Sequence, residues 1–180
     1  FYDIVTVDQC VLVHTDCCKI LKATLDYFTE QGATFYKKMA HVGYLRHLLV
    51  RRGVKTGEIL VDLVTSTQTE GTWKSEANEE ELLEGWKEEL LALDLEGTFA
   101  GILHTENDSL ADVVQSDRTV ILYGQDFFME ELLGLKFKIT SFSFFQTNSA
   151  GAEKLYSIVK EFAGDVADKT VFDLYCGTGT

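Results

Sequence analysis

The stretch "LKFKITSFSFFQTN", Leu135 to Asn148, changes its alternation part-way, and that change limits the architectures open to the chain. Leu135, Phe137 and Ile139 share one face of a strand with Lys136 and Lys138 on the other, yet Phe142 and Phe144 fall on the lysine parity. A single uninterrupted strand cannot bury both sets, because successive side chains point to opposite faces. A bulge or an exit from the sheet near Thr140 reconciles them. The aromatic run then belongs to a different environment, which places a domain boundary there: residues 1–141 on one side, 142–180 on the other.

Upstream, "CVLVH" predicts a strand with Val11 and Val13 on one face. A helix follows near 15–31, capped by Thr15 or Asp16, with Leu21, Leu25 and Phe28 at helical spacing and Gly32 as the left-handed residue after its end. "YLRHLLVRRGVKTGEILVDLVTS" reads as two β-rich runs around a connector from Gly53 to Gly57, a hairpin whose buried face periodicity leaves undecided. Asn78 to about Ala92 predicts a helix with an Asn78/Glu81 capping box and an apolar stripe of Leu82, Leu83, Trp86 and Leu90. Short strands at Phe99–His104, Leu110–Val114 and Thr119–Tyr123 read as a meander. The first region is therefore expected to be an α+β domain with an antiparallel sheet and flanking helices.

Downstream, a helix from about Ser149 to Ala163 is expected to turn Leu155, Tyr156, Val159 and Phe162 inward and to end at Gly164. "TVFDLYCG" then makes a strand apolar on both faces, as in the centre of a parallel sheet. Helix, strand and glycine turn in that order open a nucleotide-type α/β domain. Gly177 and Gly179 let the backbone approach a ligand at the carboxyl end of the strand. The absence of an initial methionine and the ending inside that turn predict a piece of a longer protein.

A composition of 46% hydrophobic residues supports a real core, and no run approaches a membrane span, so a globular cytoplasmic protein without a membrane partner is expected. The net charge of −13 argues at first against nucleic acid. Yet Glu70 to Glu96 alone carries ten acidic residues and two lysines, while Arg46, His47, Arg51, Arg52 and Lys55 cluster in ten positions. The acidity belongs largely to one segment, and a local basic patch survives it. Cys10, Cys17, Cys18 and Cys176 form no CxxC pair, so no metal site is expected.

Two stretches have the ingredients of RNA chemistry. In "SFFQTN" an aromatic ring can stack on an unpaired base while an amide reads its edge; the same residues also suit a core, a turn and a helix cap. In "HVGYLRHLLVRRG" basic side chains on a hairpin can meet phosphates or simply form a solvated face.

In their order, "GYLRHLLVRRGVKTGE", "FKITSFSFFQTN" leading to "EKLY", and "FDLYCGTGT" resemble the RNA uracil-5-methyltransferases that act on ribosomal or transfer RNA. The resemblance runs from about Cys10 to the end. It implies a central α+β domain, with the helix near 15–31 against the catalytic domain, followed by the first helix and strand of a Rossmann-like S-adenosylmethionine methyltransferase domain. It also implies methylation of uracil carbon 5 after a cysteine adds to carbon 6 of a flipped-out base.

By motif position, Phe144, Gln146 and Asn148 are implied at the substrate base, and Gln146, Asp173, Tyr175, Gly177, Gly179 and Thr180 at a partial S-adenosylmethionine site. Arg46, His47 and Arg51 are implied RNA contacts. The nucleophile and base are expected beyond Thr180, so the piece alone should be inactive. Cys10, Cys17 and Cys18 do not reproduce the family's iron–sulfur spacing. Ser141 and Ser149 stand where many relatives have proline, and Gly151, Ala152 and Glu153 where they have a QTE-like stretch. A non-catalytic RNA-positioning module, or a methyltransferase with another substrate, is the competing reading.

Overall fold

The computed structural model describes residues 9–110 and 117–174. Helix α1 (Thr15–Glu30) precedes the hairpin β1 (Leu45–Arg52) and β2 (Glu58–Thr65). Helix α2 (Glu79–Leu91), β3 (Thr98–Glu106) and β4 (Arg118–Gly124) follow, and the four strands form a sheet in the order β1-β2-β3-β4. A second hairpin, β5 (Phe127–Leu132) and β6 (Leu135–Thr140), leads to helix α3 (Ser149–Ala163).

Strand β2 explains the layering. Ile59, Val61 and Leu63 point to one side, where they meet Ile20 and Phe28 of α1 and Leu82, Trp86 and Leu90 of α2. Leu60 points to the other side, into a second core with Leu103, Phe128, Leu132, Ile139, Phe145 and Ala152. The sheet is thus covered on both faces, and β2 is accordingly an almost continuous apolar run.

The outer pairs of the main sheet, and β5 with β6, are antiparallel as expected. The expectation of an antiparallel sheet fails at the centre, where β2 pairs with β3 in parallel, from Glu58 opposite Thr98 to Thr65 opposite Glu106. Parallel neighbours need a crossover of a dozen or more residues, and the segment containing α2 supplies it. Helix α2 forms as its sequence predicts: Asn78 accepts from Glu81 N, the reciprocal capping-box bond is present, and the four stripe residues are buried. Tyr27 Oη donates to Leu82 O at 2.8 Å, joining α1 to α2. That approach requires Gly85, because a β-carbon there would sit 2.4 Å from the Tyr27 hydroxyl.

Four further expectations are corrected. Residues 9–13 form no strand, and Val11 and Leu12 are exposed; β-prone residues need a neighbouring strand to pair with and a surface to cover. The cap of α1 is His14, whose Nδ1 accepts from Asp16 N, because Asp16 is drawn inward. The helix therefore buries Ile20, Thr24 and Phe28, while Leu21 is exposed. Helix α3 has the expected bounds, with Gly164 after it, but it buries only Ser149 and Ala152, and Leu155, Val159 and Phe162 face outward. No strand forms over 170–174, where Val171, Phe172 and Leu174 are exposed; among the described residues no parallel neighbour is available to pair with it. The expected strand at Leu110–Val114 lies, apart from Leu110, outside the described residues.

His104 on β3 is buried, and its Nε2 lies 2.8 Å from Thr65 Oγ1. Burial, assisted by the charge of Arg118, pushes its pKa down to about 4. The unfolded chain therefore takes up a proton near pH 6.5 that the folded chain refuses. Stability is lost as pH falls from about 6.5 towards 4, by up to about 3 kcal/mol. The urea midpoint should fall across that window, and His104→Gln should remove this part of the fall.

Candidate functional site

Strand β6 leaves its sheet at Thr140, where the alternation of the sequence breaks. The strip that follows, residues 141–148, has no regular structure and sorts its side chains sharply. Phe145 is buried, 6.0 Å centroid to centroid from Phe137, and Ser141 and Ser149 are buried on either side. Phe144 is 67% exposed, and Gln146, Thr147 and Asn148 are also exposed. One phenylalanine thus fixes the strip to the second core while its neighbour presents a ring to solvent.

Three polar residues hold the strip in place. Arg51 Nη1 donates to the carbonyls of Thr140, Ser141 and Ser143 at 2.6, 3.0 and 2.7 Å. Its guanidinium lies 5.9 Å from the Phe128 ring centroid, and burial pushes its pKa below the ordinary arginine value. Glu130 is fully buried on β5. It accepts from Val54 N, Lys55 N, Glu131 N and Ser149 Oγ, so one carboxylate ties the β1–β2 connector to the start of α3. Asn148 Oδ1 accepts from Gly151 N at 2.9 Å and caps α3.

Arg51, Glu130, Phe145, Gln146, Thr147 and Ser149 help line a cleft of about 380 Å³. Arg52 and His14 also border it. Arg52 Nε donates to Asp16 Oδ2 at 3.1 Å, and Asp16 also accepts from Glu96 N and Gly97 N at 3.0 Å. Burial pushes the Asp16 carboxyl up, but those amides, His14 and Arg52 outweigh it and hold its pKa below the usual value.

Asp62 on β2 is buried, and neither of its oxygens has a hydrogen-bond partner among the described residues. Burial pushes its pKa up, and the nearby hydroxyls of Thr105 and Ser141, which form no well-aligned hydrogen bond with it, oppose this only in part.

The residues singled out from the sequence meet different fates. Phe144, Gln146 and Asn148 lie together on the strip, with Gln146 at the cleft and Asn148 acting as a cap. Arg51 is at the strip as well, but its guanidinium is bound to backbone carbonyls. Arg46 lies five residues back along β1, roughly 16 Å away at strand spacing. It donates to Asn107 O at 2.5 Å and Ser109 O at 2.8 Å and stacks 4.2 Å over Tyr36. His47 is half-buried in a groove with Leu25 and Phe28. Asp173 is exposed. Tyr175, Gly177, Gly179 and Thr180 lie outside the described residues.

Asp16, Asp62 and Glu130 were missed. For Glu130 a signal existed, since it shares the parity of Phe128 and Leu132 and therefore faces the core. Among the described residues no group of three or more His, Cys, Asp or Glu side chains is arranged to hold a metal ion.

No protein-family model matches the chain. It is 52% identical over 179 residues to an uncharacterised RNA methyltransferase of Clostridium tetani, covering 99% of this chain and 37% of that protein. An uncharacterised RNA methyltransferase of Caldanaerobacter subterraneus subsp. tengcongensis is 49% identical over 180 residues, covering 100% of this chain and 38% of that protein. Among solved structures, that of the Pyrococcus abyssi tRNA (uracil-54, C5)-methyltransferase in complex with S-adenosyl-L-homocysteine aligns with a TM-score of 0.62 at 27% identity, over 89% of this chain and 36% of that one. The chain therefore spans well under half the length of the curated relatives it matches.

The mixed α/β fold is similar to that of a methyltransferase structure. The chain is similar over its whole length to RNA methyltransferases, and these likenesses support the resemblance of its motifs to the uracil-5-methyltransferase family.

Proposed function

We propose that this chain is a segment of a cytoplasmic, S-adenosylmethionine-dependent RNA uracil-5-methyltransferase acting on ribosomal RNA. Residues 1–141 would be its central domain and 142–180 the start of its catalytic domain. The observation that carries the reading is the clasped strip, which exposes the Phe144 ring and, two residues on, Gln146, while Arg51 holds the strip's backbone carbonyls and Glu130 ties the start of α3 to the β1–β2 connector.

Such a pair suits a flipped-out base. The Phe144 ring offers a stacking face, and the Gln146 amide can both donate to and accept from a uracil edge. Asn148 holds the strip through its cap of α3. For the cofactor, the described residues are Gln146, an amide that both donates and accepts, and Asp173, a carboxylate that accepts. Both are exposed, and their chemistry fits the amino and hydroxyl groups of S-adenosylmethionine. Tyr175, Gly177, Gly179 and Thr180 would complete that site. When bound, the cofactor supplies an electrophilic methyl group for uracil carbon 5. The cysteine that adds to carbon 6 and the base that removes the carbon 5 proton are assigned outside residues 1–180.

The full-length protein should transfer a labelled methyl group from S-adenosylmethionine to ribosomal RNA and form a covalent adduct with RNA containing 5-fluorouracil. The 180-residue chain alone should do neither. Phe144→Ala in the full-length protein should lower kcat/KM about ten- to a hundred-fold, the scale of one lost base stack. Absence of both transfer and adduct with any cellular RNA would refute the reading. The structural neighbour acts on transfer RNA, which favours transfer RNA as the second substrate to assay. Methylation of that RNA alone would move the assignment there.

A further inference from the structure

We infer that the loop from Phe35 to Val42 is a second RNA-binding surface, which grips an unpaired stretch of the substrate away from the target uracil. The inference rests on the RNA substrate proposed above, but its observations lie elsewhere in the molecule. Residues 31–57 contain six of the sixteen lysines and arginines and no aspartate or glutamate, in a chain of net charge −13. Arg46, Arg51 and Arg52 of that set are engaged with backbone carbonyls or Asp16. Lys37 stands on the exposed loop, beside Phe35 at 57% exposure, Met39 at 91% and Val42 at 56%.

This loop is built rather than merely exposed. Lys37 and Val42 form an isolated antiparallel bridge, and the Lys37 carbonyl accepts from Ala40 N and His41 N. The Gln68 side chain brackets the base of the loop, donating to His41 O at 2.9 Å and accepting from Gly43 N at 3.2 Å. Tyr36 Oη shares a hydrogen bond with His41 Nδ1, and Arg46 stacks on the Tyr36 ring. His41 has φ 53 and Gly43 φ 123. At Gly43 a β-carbon would come within 2.4 Å of Phe35 O, so the tight return of the loop is possible only with glycine.

A fixed loop that contributes little to either core yet displays apolar and cationic side chains has the composition of a nucleic-acid stacking platform. An open concavity of about 690 Å³ beside it is lined by Phe35, Lys37, Val42, Gln68, Thr69 and Thr72, among others. Glu70 is the one carboxylate among its lining residues. Phe35 supplies a ring for a base and Lys37 a charge for a phosphate. Gln68 and the threonines supply hydrogen-bonding groups around the space between.

The test measures binding of the full-length protein to a fluorescein-labelled single-stranded RNA oligonucleotide, by anisotropy over a range of salt. Lys37→Glu should weaken binding about fivefold at low salt and reduce the slope of log K against log salt by about 0.7, as expected for one lost phosphate contact. Phe35→Ala should weaken binding about tenfold with the slope unchanged, and should weaken binding to duplex RNA of the same length much less. Both changes are at exposed positions, and circular dichroism of each variant checks its folding.

Unchanged affinity and slope in both variants overturn the inference. So does a silent Phe35→Ala, which would leave only a generic anion-attracting surface, fit for an acidic protein as much as for RNA. Methyl transfer by wild-type protein with unaltered RNA affinity in the variants would remove the loop and leave the proposed function standing. RNA binding that depends on the loop without any methyl transfer would do the reverse.

Discussion

Glu130→Ala should destabilise the protein by about 3–5 kcal/mol in urea unfolding, the largest effect expected of any single substitution at the site. The carboxylate is fully buried and accepts from three backbone amides and the Ser149 hydroxyl. Truncation leaves those donors facing a cavity, and each buried unsatisfied donor costs about 1–3 kcal/mol, partly recovered where water enters. Glu130→Gln keeps the shape and one acceptor oxygen, so it should recover part of the loss. A Glu130→Ala protein with an unchanged urea midpoint would show that the carboxylate does not join the connector to α3.

Arg51→Met is the second large effect, and it separates positioning from contact. It should cost about 2–4 kcal/mol, because the carbonyls of Thr140, Ser141 and Ser143 lose a charged donor. It should also speed hydrogen exchange selectively over residues 141–148 and lower kcat for RNA methylation in the full-length protein more than a hundredfold. Arg51→Lys should restore charge but only part of kcat, since an ammonium on a flexible stem does not reproduce the planar donor group. Were Arg51 instead a phosphate contact, Arg51→Lys would be nearly normal and exchange over 141–148 would not change.

Local features were readable from the sequence. The Asn78/Glu81 box and its stripe define α2 through contacts a few residues apart. The Gly53–Gly57 connector marks the first hairpin, and Asn148 and Gly164 bracket α3. The parity break at Thr140 located the strip, because a period of two is unforgiving of a change of face.

What escaped depends on residues far apart in the chain. The parallel pairing of β2 with β3 leaves no mark in either strand beyond its apolar run. The inward face of α1 is displaced by one residue because Asp16 is drawn to Arg52 and to the amides of Glu96 and Gly97. The apolar side of α3 is amphipathic by sequence, but periodicity cannot say whether a partner covers it, and here Phe162 is 84% exposed. Nor does a positive charge reveal whether it will meet a phosphate or a carbonyl. Arg46 and Arg51, read as RNA contacts, spend their guanidiniums on the protein's own backbone.

The Arg51 clasp makes the strip's location a property of counting. Arg51 lies on the opposite face of β1 from Leu48 and Val50, which pack on the helix side. A shift of one residue in that strand would swing the guanidinium to the helices and leave 141–148 unheld, with each of its own residues intact. The Gly53–Gly57 connector is held to its length as well, because Val54 N and Lys55 N donate to Glu130. Drift in this lineage should therefore be punished in strand phase, so that the address of the strip is kept about ninety residues upstream of it, in the pairing of a hairpin.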